Sequence, residues 1–422
     1  MINLRLSSIC CYLTGWLWLF SLPGWADNGE VEVLHWWTST GETNAVHVLQ
    51  QQVEQQGVHW KNFAVIGGGG ESAMNVLEAR VISGNPPTAA QLKSSEIRDW
   101  AALGFLNNLD PIAKTQHWDQ LLPPTIANLL KYQGHYVAVP ANIHRENWLW
   151  VNTHIFKAAG AKIPTTWDEF FTAAQKIKAA GYPVLVNGNQ DWQNTTIFES
   201  IALGILGGKD YIRAFVQHDA TVLTSDKMLK VFEIFQKVHQ FVELPPQSDD
   251  WNQATNLVIH DKAAMQIMGD WAKSEFFIAG KQLDQDFDCV PVPETQHAFL
   301  FDTDSFSMFH LDNKANQKAQ KILTRTIMDP EFQKRFNLAK GSIPIRNDIP
   351  LDAFDRCAVA SRRAFNQARK TGQLAPSIAH GMATTMPEQK ALFDVVNHFF
   401  NTPNADPKQA ILRLNRATQA AQ

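Results

Sequence analysis

Strand-like and helix-like patterns take turns along almost the whole chain, and this alternation limits the possible folds more than any single motif does. Glu32–Trp37 (EVLHWW) has the composition of a short strand, and Thr43–Gln56 follows with Val46, Leu49 and Val53 on one helical face. His59–Ile66 reads as a second strand, Gly67–Gly70 as a loop, and Ser72–Ile82 as a helix in which Met74, Leu77 and Val81 recur at three- and four-residue steps. Gly84-Asn85-Pro86-Pro87 ends that helix, since proline has no amide hydrogen to continue it. The spacing predicts further helices over Trp167–Ala180, Thr195–Leu206, Lys227–Phe241, Lys314–Met328 and Gln389–Asn397. Between them lie β-rich pieces such as Tyr136–Val139, Pro183–Val186 and Phe287–Val292. Alternation of this kind implies an α/β protein layered around a largely parallel sheet. No repeat or low-complexity tether interrupts it, so any domain boundary consists of short crossings.

A chain of 422 residues has room for about two or three domains. Its 45% hydrophobic and 18% charged residues rule out wholesale disorder, and a formal charge of −4 offers no basic excess to hold a nucleic-acid backbone. Residues 1–26 carry the pattern of an export signal. Arg5 lies near a positive start, the apolar run Ile9–Leu22 is shorter than the ~20 residues of a membrane span, and Gly24 and Ala26 provide small residues before Asp27. The rest is expected to be exported and soluble. Only Cys289 and Cys357 lie beyond that segment. They could pair in an oxidising compartment, but spacing says nothing about the distance between them, and two separate buried thiols are the default reading. No Cys/His cluster has zinc-ligand spacing, and neither a metal nor a cofactor is expected.

The residues able to carry chemistry are aromatic and polar side chains in loops. Trp36-Trp37 closes the first strand, with Glu42 just beyond. Open α/β sheets bind ligands outside the carboxyl ends of their strands, and adjacent strand residues point to opposite faces. At least one of these indoles is therefore expected to be hard to bury and free to stack on a pyranose ring, although one core and one edge tryptophan would look the same. Gly67–Gly70 lacks the Gly-Lys-Ser/Thr of a phosphate loop and reads as a flexible turn whose backbone lies close to something. Gln91 and Lys93 follow the Pro86-Pro87 turn, and Ala138–Trp150 delivers Asn142, His144, Arg145 and Asn147 in one extended stretch suited to a crossing between domains. Loop tryptophans occur at Trp192 and Trp271, Asp302 and Asp304 lie two residues apart, and Lys340 and His380 each precede a glycine. No GxSxG nucleophile or HExxH metal motif is present. The set describes a polar cleft lined by indoles; two acids from distant segments leave a glycosidase open at this point.

Taken in order, LHWWTSTGE, VISGNPP, VPANIHRENWLWVN, PTTWDEF, AMQIMGDW, DTDSF, AKGSIPIR and IAHG resemble the periplasmic sugar-binding proteins of bacterial ABC transporters, the family 1 extracellular solute-binding proteins. The resemblance runs from about Glu30 to beyond His380, and VPANIHR, MGDW, KGSIP and the HG pair favour the glucose/mannose-binding branch. It implies two α/β lobes, 27–139 plus 301–342 and 140–300 plus 343–422, joined by a hinge with the sugar in the cleft between them. It also implies that Trp36, Trp37, Glu42, Gln91, Lys93, His144, Trp271, Asp304, Lys340 and His380 contact the sugar, with Asp302 and Trp192 as further candidates. The implied function is capture of a monosaccharide (glucose, or its relatives mannose and galactose) by a periplasmic monomer that hands it to a membrane ABC permease, with no covalent chemistry. A sugar chemoreceptor or sensor kinase is an alternative partner, and a secreted glycoside hydrolase using Glu42 and Asp304 an alternative activity. Two positions depart from the family pattern. Thr88 replaces the Asp that often follows the Pro-Pro turn and reads as structural, whereas Lys93 stands where some relatives carry His, which leaves the epimer preference open.

Overall fold

The computed structural model describes residues 28–67, 69–245 and 249–420, and the expected export signal lies outside them. In chain order its strands are β1 (Glu30–His35), β2 (His59–Ala64), β3 (Ala89–Leu92), β4 (Lys131–Tyr132), β5 (His135–Tyr136), β6 (Ala138–Pro140), β7 (His144–Arg145) and β8 (Trp148–Asn152). There follow β9 (Leu185–Val186), β10 (Val242–Glu243), β11 (Met265–Ile267), β12 (Phe287–Pro291), β13 (Phe299–Asp302), β14 (Ser305–Met308) and β15 (Leu374–Pro376). Two five-stranded sheets result, ordered β2-β1-β3-β14-β6 and β10-β9-β11-β8-β12. In the first, β1 runs parallel to β2 and β3, while β14 is antiparallel to β3 and β6. In the second, β9 runs parallel to β10 and β11, while β8 is antiparallel to β11 and β12. Two mixed sheets thus replace the single, largely parallel one that the alternation suggests. An apolar run records burial and not strand direction, so the reversed β8 and β14 leave no local signature.

The short strands between the sheets make the crossings. The chain leaves the first sheet at β6, enters the three-stranded sheet β15-β13-β7, and joins the second sheet at β8. It returns from β12 through β13 to β14, and an isolated bridge pairs Ile143 with Ile343 nearby. Separate cores support the two large sheets. Val31, Val33 and Leu34 pack with Leu49, Phe306 and Phe336, whereas Leu149 and Val151 pack with Phe198, Phe232 and Phe399. A third cluster gathers Trp148, Trp150, Trp192, Trp251 and Trp271. It also holds Cys289 and Cys357, which form a disulfide joining β12 to the Arg356–Thr371 helix, so the two thiols left open by spacing are paired.

Helix ends follow local side-chain chemistry. Ser39 caps the Thr40–Glu54 helix by accepting from the Glu42 amide, and the Glu42 carboxylate accepts from the Ser39 amide in return. The helix therefore starts earlier than the apolar spacing indicates. The helix expected over Thr195–Leu206 spans Asp191–Phe215 and absorbs half of the polar loop around Trp192; Gly207, at φ 73°, kinks it. Helices at Trp251–Ile259, Ala272–Ile278, Pro330–Lys340 and Arg356–Thr371 escape the pattern reading. The last buries Cys357, Ala358, Ser361, Phe365 and Ala368, a face too poor in large apolar residues to stand out in sequence. Thr88 is structural, its Oγ1 accepting from the Glu32 amide at 3.1 Å. Among the described residues no helix is long and apolar enough to cross a membrane.

Candidate functional site

A cavity of about 240 Å³ lies beyond the carboxyl end of β1, between the two large sheets. Trp36, Trp37, Glu42, Lys93, His144, Trp271, Asp304, Lys340 and His380 all line it, as do Asp302 and Trp192. Gln91 does not. It is fully buried behind the wall, where its Nε2 donates to Asp304 Oδ1 at 2.6 Å and its Oε1 accepts from the Trp36 amide at 3.4 Å. Thr38, Ser39, Ile66, Asp250, Trp251 and Asn252 join the lining without having been singled out from sequence. Trp251, set beside two acids and Asn252 as SDDWN, carries the same loop-indole signal as Trp192.

Both members of the Trp36-Trp37 pair are buried, contrary to expectation, at 7% and 2% exposure. The strand ends at His35, whose Nδ1 accepts from the Trp37 amide, so strand alternation no longer governs the two indoles. Trp37 packs edge-on against Phe306 and at a tilt against Phe336. Trp36 lies under the glycine loop: a Cβ on Gly70 would stand 3.1 Å from its ring, and one on Gly69 would stand 3.1 Å from Trp192. Both glycines have positive φ, 93° and 81°. Gly69 and Gly70 are thus glycine because their backbone lies against two indoles, in a conformation that L side chains resist.

Charged groups on the wall are paired. Lys340 is the last residue of the Pro330–Lys340 helix, and Gly341 caps it in the left-handed region. Its Nζ sits 3.1 Å from Glu42 Oε1 and within 5.7 Å of the Trp37 and Trp271 ring centres. Burial alone would lower the ammonium, but Glu42 and Asp304 outweigh it and raise it. Lys93 Nζ lies 3.6 Å from Asp302 Oδ2 and 5.3 Å from the Trp36 ring.

His144 sits between two carboxylates. Its Nδ1 meets Asp270 Oδ1 at 2.5 Å and its Nε2 meets Asp304 Oδ2 at 2.9 Å. Burial opposes a charge on the ring, yet the two carboxylates push it up to about 9, so both nitrogens are donors. Asn142 Nδ2 donates to the same Asp304 oxygen at 2.7 Å, which places it only 2.8 Å from His144 Nε2. That contact is two donors converging on one acceptor, not a bond between them. Burial would raise Asp304 itself, but His144, Lys340 and Lys93 hold it well below the usual carboxylate range. Asp304 is therefore an anion that accepts hydrogen bonds and has no proton to give as a general acid.

His380 behaves differently. Burial, with Lys93 and His144 nearby, pushes it well below the ordinary imidazole range, so it is neutral. Its ring meets Trp192 and Trp271 edge-on, at 5.3 and 5.1 Å. The cavity therefore presents cations, anions, one neutral imidazole and several indoles within a small volume. A group with many hydroxyls, each both donor and acceptor, matches such a wall.

The sequence pattern of the bacterial extracellular solute-binding proteins matches residues 43–303. The chain belongs to that family. It is 41% identical over 392 residues to a protein of Brucella suis biovar 1 (strain 1330) named "Probable sugar-binding periplasmic protein", covering 93% of this chain and 92% of that one. A protein of the same name from Rhizobium meliloti (strain 1021) is also 41% identical, covering 93% and 94%. Among solved structures, a chitin oligosaccharide binding protein superimposes with a TM-score of 0.78 at 18% identity, covering 93% of this chain and 98% of that one. The α/β fold is that of the periplasmic binding proteins. As a solute-binding protein, the chain holds its ligand without transforming it, and the hydrolase reading of Glu42 and Asp304 falls away.

Proposed function

We propose that this solute-binding protein captures a monosaccharide of the glucose type in the periplasm and delivers it to an ABC permease. The observation that carries the reading is the cavity itself: about 240 Å³, walled by indoles and by buried Lys, Asp, Glu and His side chains. Apolar pockets for drug-sized ligands are typically larger, ~300–1,000 Å³, and carry few polar groups. A small cavity this rich in paired charges suits one pyranose, whose ring C–H faces pack on indoles while its hydroxyls bridge each cation to its carboxylate. Trp36, Trp37 and Trp271 serve as the ring platforms, and Glu42, Lys93, His144, Asp304, Lys340 and His380 address the hydroxyls. Gln91 acts from behind by orienting Asp304. Mannose and galactose each differ from glucose in the direction of one hydroxyl, and an epimer that leaves a buried partner unpaired loses about 1–3 kcal/mol.

The sheets suggest how capture works. Residues 27–139 with 301–342 form one lobe and residues 140–300 with 343–422 the other, and the crossings through β7 and β13 act as the hinge. Relatives named for sugar binding in the periplasm and for ABC transport support the same reading. Calorimetry against glucose, mannose, galactose and maltose tests it. Glucose or one of its epimers is expected to bind with Kd in the micromolar range or tighter, about −8 kcal/mol. Strong maltose binding with no monosaccharide bound would refute the size assignment.

A further inference from the structure

The loop that carries His380 is held by a carboxylate buried on the far side of the ring. Glu199, fully buried on the Asp191–Phe215 helix, accepts from the Ile378 amide at 2.6 Å, the Tyr211 hydroxyl at 2.9 Å and the Ala379 amide at 3.4 Å, all on Oε2. Its Oε1 accepts from Ser377 Oγ at 2.8 Å. Ser377 has one hydroxyl proton, and the Glu199 carboxylate takes it. The same Oγ lies 3.1 Å from the His380 amide and 3.2 Å from His380 Nδ1. It can only accept there, so Nδ1 must carry the ring proton. His380 is neutral, and its Nε2 is then an unprotonated acceptor available to the cavity.

We infer that Glu199 is a specificity-positioning residue which, through Ser377, fixes His380 as the Nδ1–H tautomer and makes it a hydrogen-bond acceptor for the bound sugar. The inference rests on the proposed sugar site and adds a direction to one of its contacts: the hydroxyl facing His380 must donate. The two cations that act most strongly on His380, Lys93 and His144, carry only N–H groups and accept nothing. A neutral imidazole whose free nitrogen accepts differs from both, and a carboxylate outside the cavity decides that difference. Glu146 Oε2 lies 3.4 Å from His380 Nδ1, and neither of its oxygens has a hydrogen-bond partner among the described residues. At that distance it yields to Ser377, which is closer and bonded on both sides.

The Glu199→Gln variant reverses the chain of donors. The Ile378 and Ala379 amides require an acceptor at the Oε2 position, so the side-chain NH2 takes the Oε1 position and donates to Ser377 Oγ. Ser377 then donates to Nδ1, and the ring proton moves to Nε2. The test is nitrogen NMR of the full exported chain with 15N-labelled histidine, sugar-free, at about pH 8. Burial lifts Glu199 to about 7, so it is ionised there. The His380 signals are assigned by their loss in His380→Gln. The wild type should show Nδ1 protonated and Nε2 bare, Glu199→Gln the reverse, and Glu146→Gln the wild-type pattern. A wild-type Nε2–H, or a Glu199→Gln protein that keeps Nδ1–H, overturns the inference. Should Glu199→Gln not fold, Ser377→Ala must lose the single fixed tautomer, and a retained Nδ1–H would be equally fatal. A second arm uses monofluoro-deoxy analogues of the best monosaccharide, since fluorine cannot donate. One analogue should bind at least tenfold more weakly than its parent to the wild type and recover most of that loss in Glu199→Gln; no recovery with any analogue refutes the specificity role. If the NMR result holds while no sugar binds, the sugar reading fails and the tautomer assignment stands.

Discussion

At the scale of single residues, burial changes what the cavity lysines do. As exposed donors they could be removed without touching stability, but Lys340 is 2% exposed and ion-paired with Glu42. Lys340→Ala leaves the Glu42 carboxylate buried with, among the described residues, hydrogen bonds from the Thr38 and Ser39 amides alone. Removing one partner of a buried pair costs about 3 kcal/mol or more. Urea denaturation of the sugar-free variant should show that loss, alongside sugar affinity reduced roughly ten- to hundredfold. An unchanged denaturation midpoint would mean that Glu42 does not need its cation. His144 gives a pH dependence. Its folded pKa of about 9 stands above the 6.5 of an ordinary histidine, so the stability it contributes is complete below pH 6.5 and vanishes as pH rises through 9. The amount is on the order of 3 kcal/mol. His35 and His380 are held below 6.5, so their contributions are lost in the opposite direction, as pH falls. Comparing denaturation of wild type and His144→Gln between pH 6 and 10 isolates the His144 slope, which the variant should lack. The indoles and charged groups of the wall were legible because they lie in motifs such as VPANIHR, MGDW and KGSIP that resemble the sugar-binding family, whereas Thr38, Ser39, Asp250 and Asn252 carry no such signal. Glu146 and Glu199 were not legible, because an acid within a periodic helix or an extended run looks like a solvated one until its burial is known.

At the scale of elements, what could be read from sequence was periodicity, and what could not was anything set by contacts distant along the chain. The Trp167–Ala179 helix, with its Thr166/Glu169 capping box, matches the predicted span almost residue for residue. The Arg356–Thr371 helix was invisible, yet it holds an important covalent link. Cys357, near its N-terminus, bonds Cys289 on β12 across 68 residues of sequence. Around that bond the helix faces two cores: Cys357 and Ala360 pack with the tryptophan cluster, while Ala358, Phe365 and Ala368 pack with the core of the first sheet. A helix so divided has no large apolar face of its own to hold it, and the disulfide supplies the constraint. Closing a loop of that length stabilises by about 4 kcal/mol in the chain-entropy account. A Cys289→Ser/Cys357→Ser variant should therefore denature at markedly lower urea, and reduction should do the same to the wild type. If the double variant matches the oxidised wild type within ~1 kcal/mol, packing alone fixes the helix.

At the scale of the whole molecule, the two walls of the cavity already touch. The Gly41 amide, in the first turn of the Thr40–Glu54 helix, donates to Glu275 Oε1 on the Ala272–Ile278 helix at 2.8 Å. Close by, Ser274 Oγ lies 3.5 Å from the Lys340 carbonyl oxygen, and a Cβ on Gly41 would stand 2.4 Å from Ser274 Oγ. These contacts join elements packed on the first sheet to elements packed on the second, so under the proposed hinge they form only when the cleft shuts. Glu275 does not line the cavity and cannot touch a sugar there. Its effect on affinity must come through the population of the closed form. A ligand held by both walls binds that form better, and its apparent affinity falls in proportion to the fraction of protein able to close. Glu275→Ala removes a charge-assisted bond of about 1.5–3 kcal/mol from the closed state alone. Its Kd for the preferred sugar should rise roughly tenfold or more, with every direct sugar contact intact. Solution scattering should show the radius of gyration of the wild type falling when sugar binds. Sugar-free Glu275→Ala should be at least as expanded as sugar-free wild type, and both should reach the same compact radius once saturated. Wild-type affinity in the variant, or a radius indifferent to sugar while calorimetry reports binding, would place the whole binding energy on one wall and leave the contact between Gly41 and Glu275 a matter of packing.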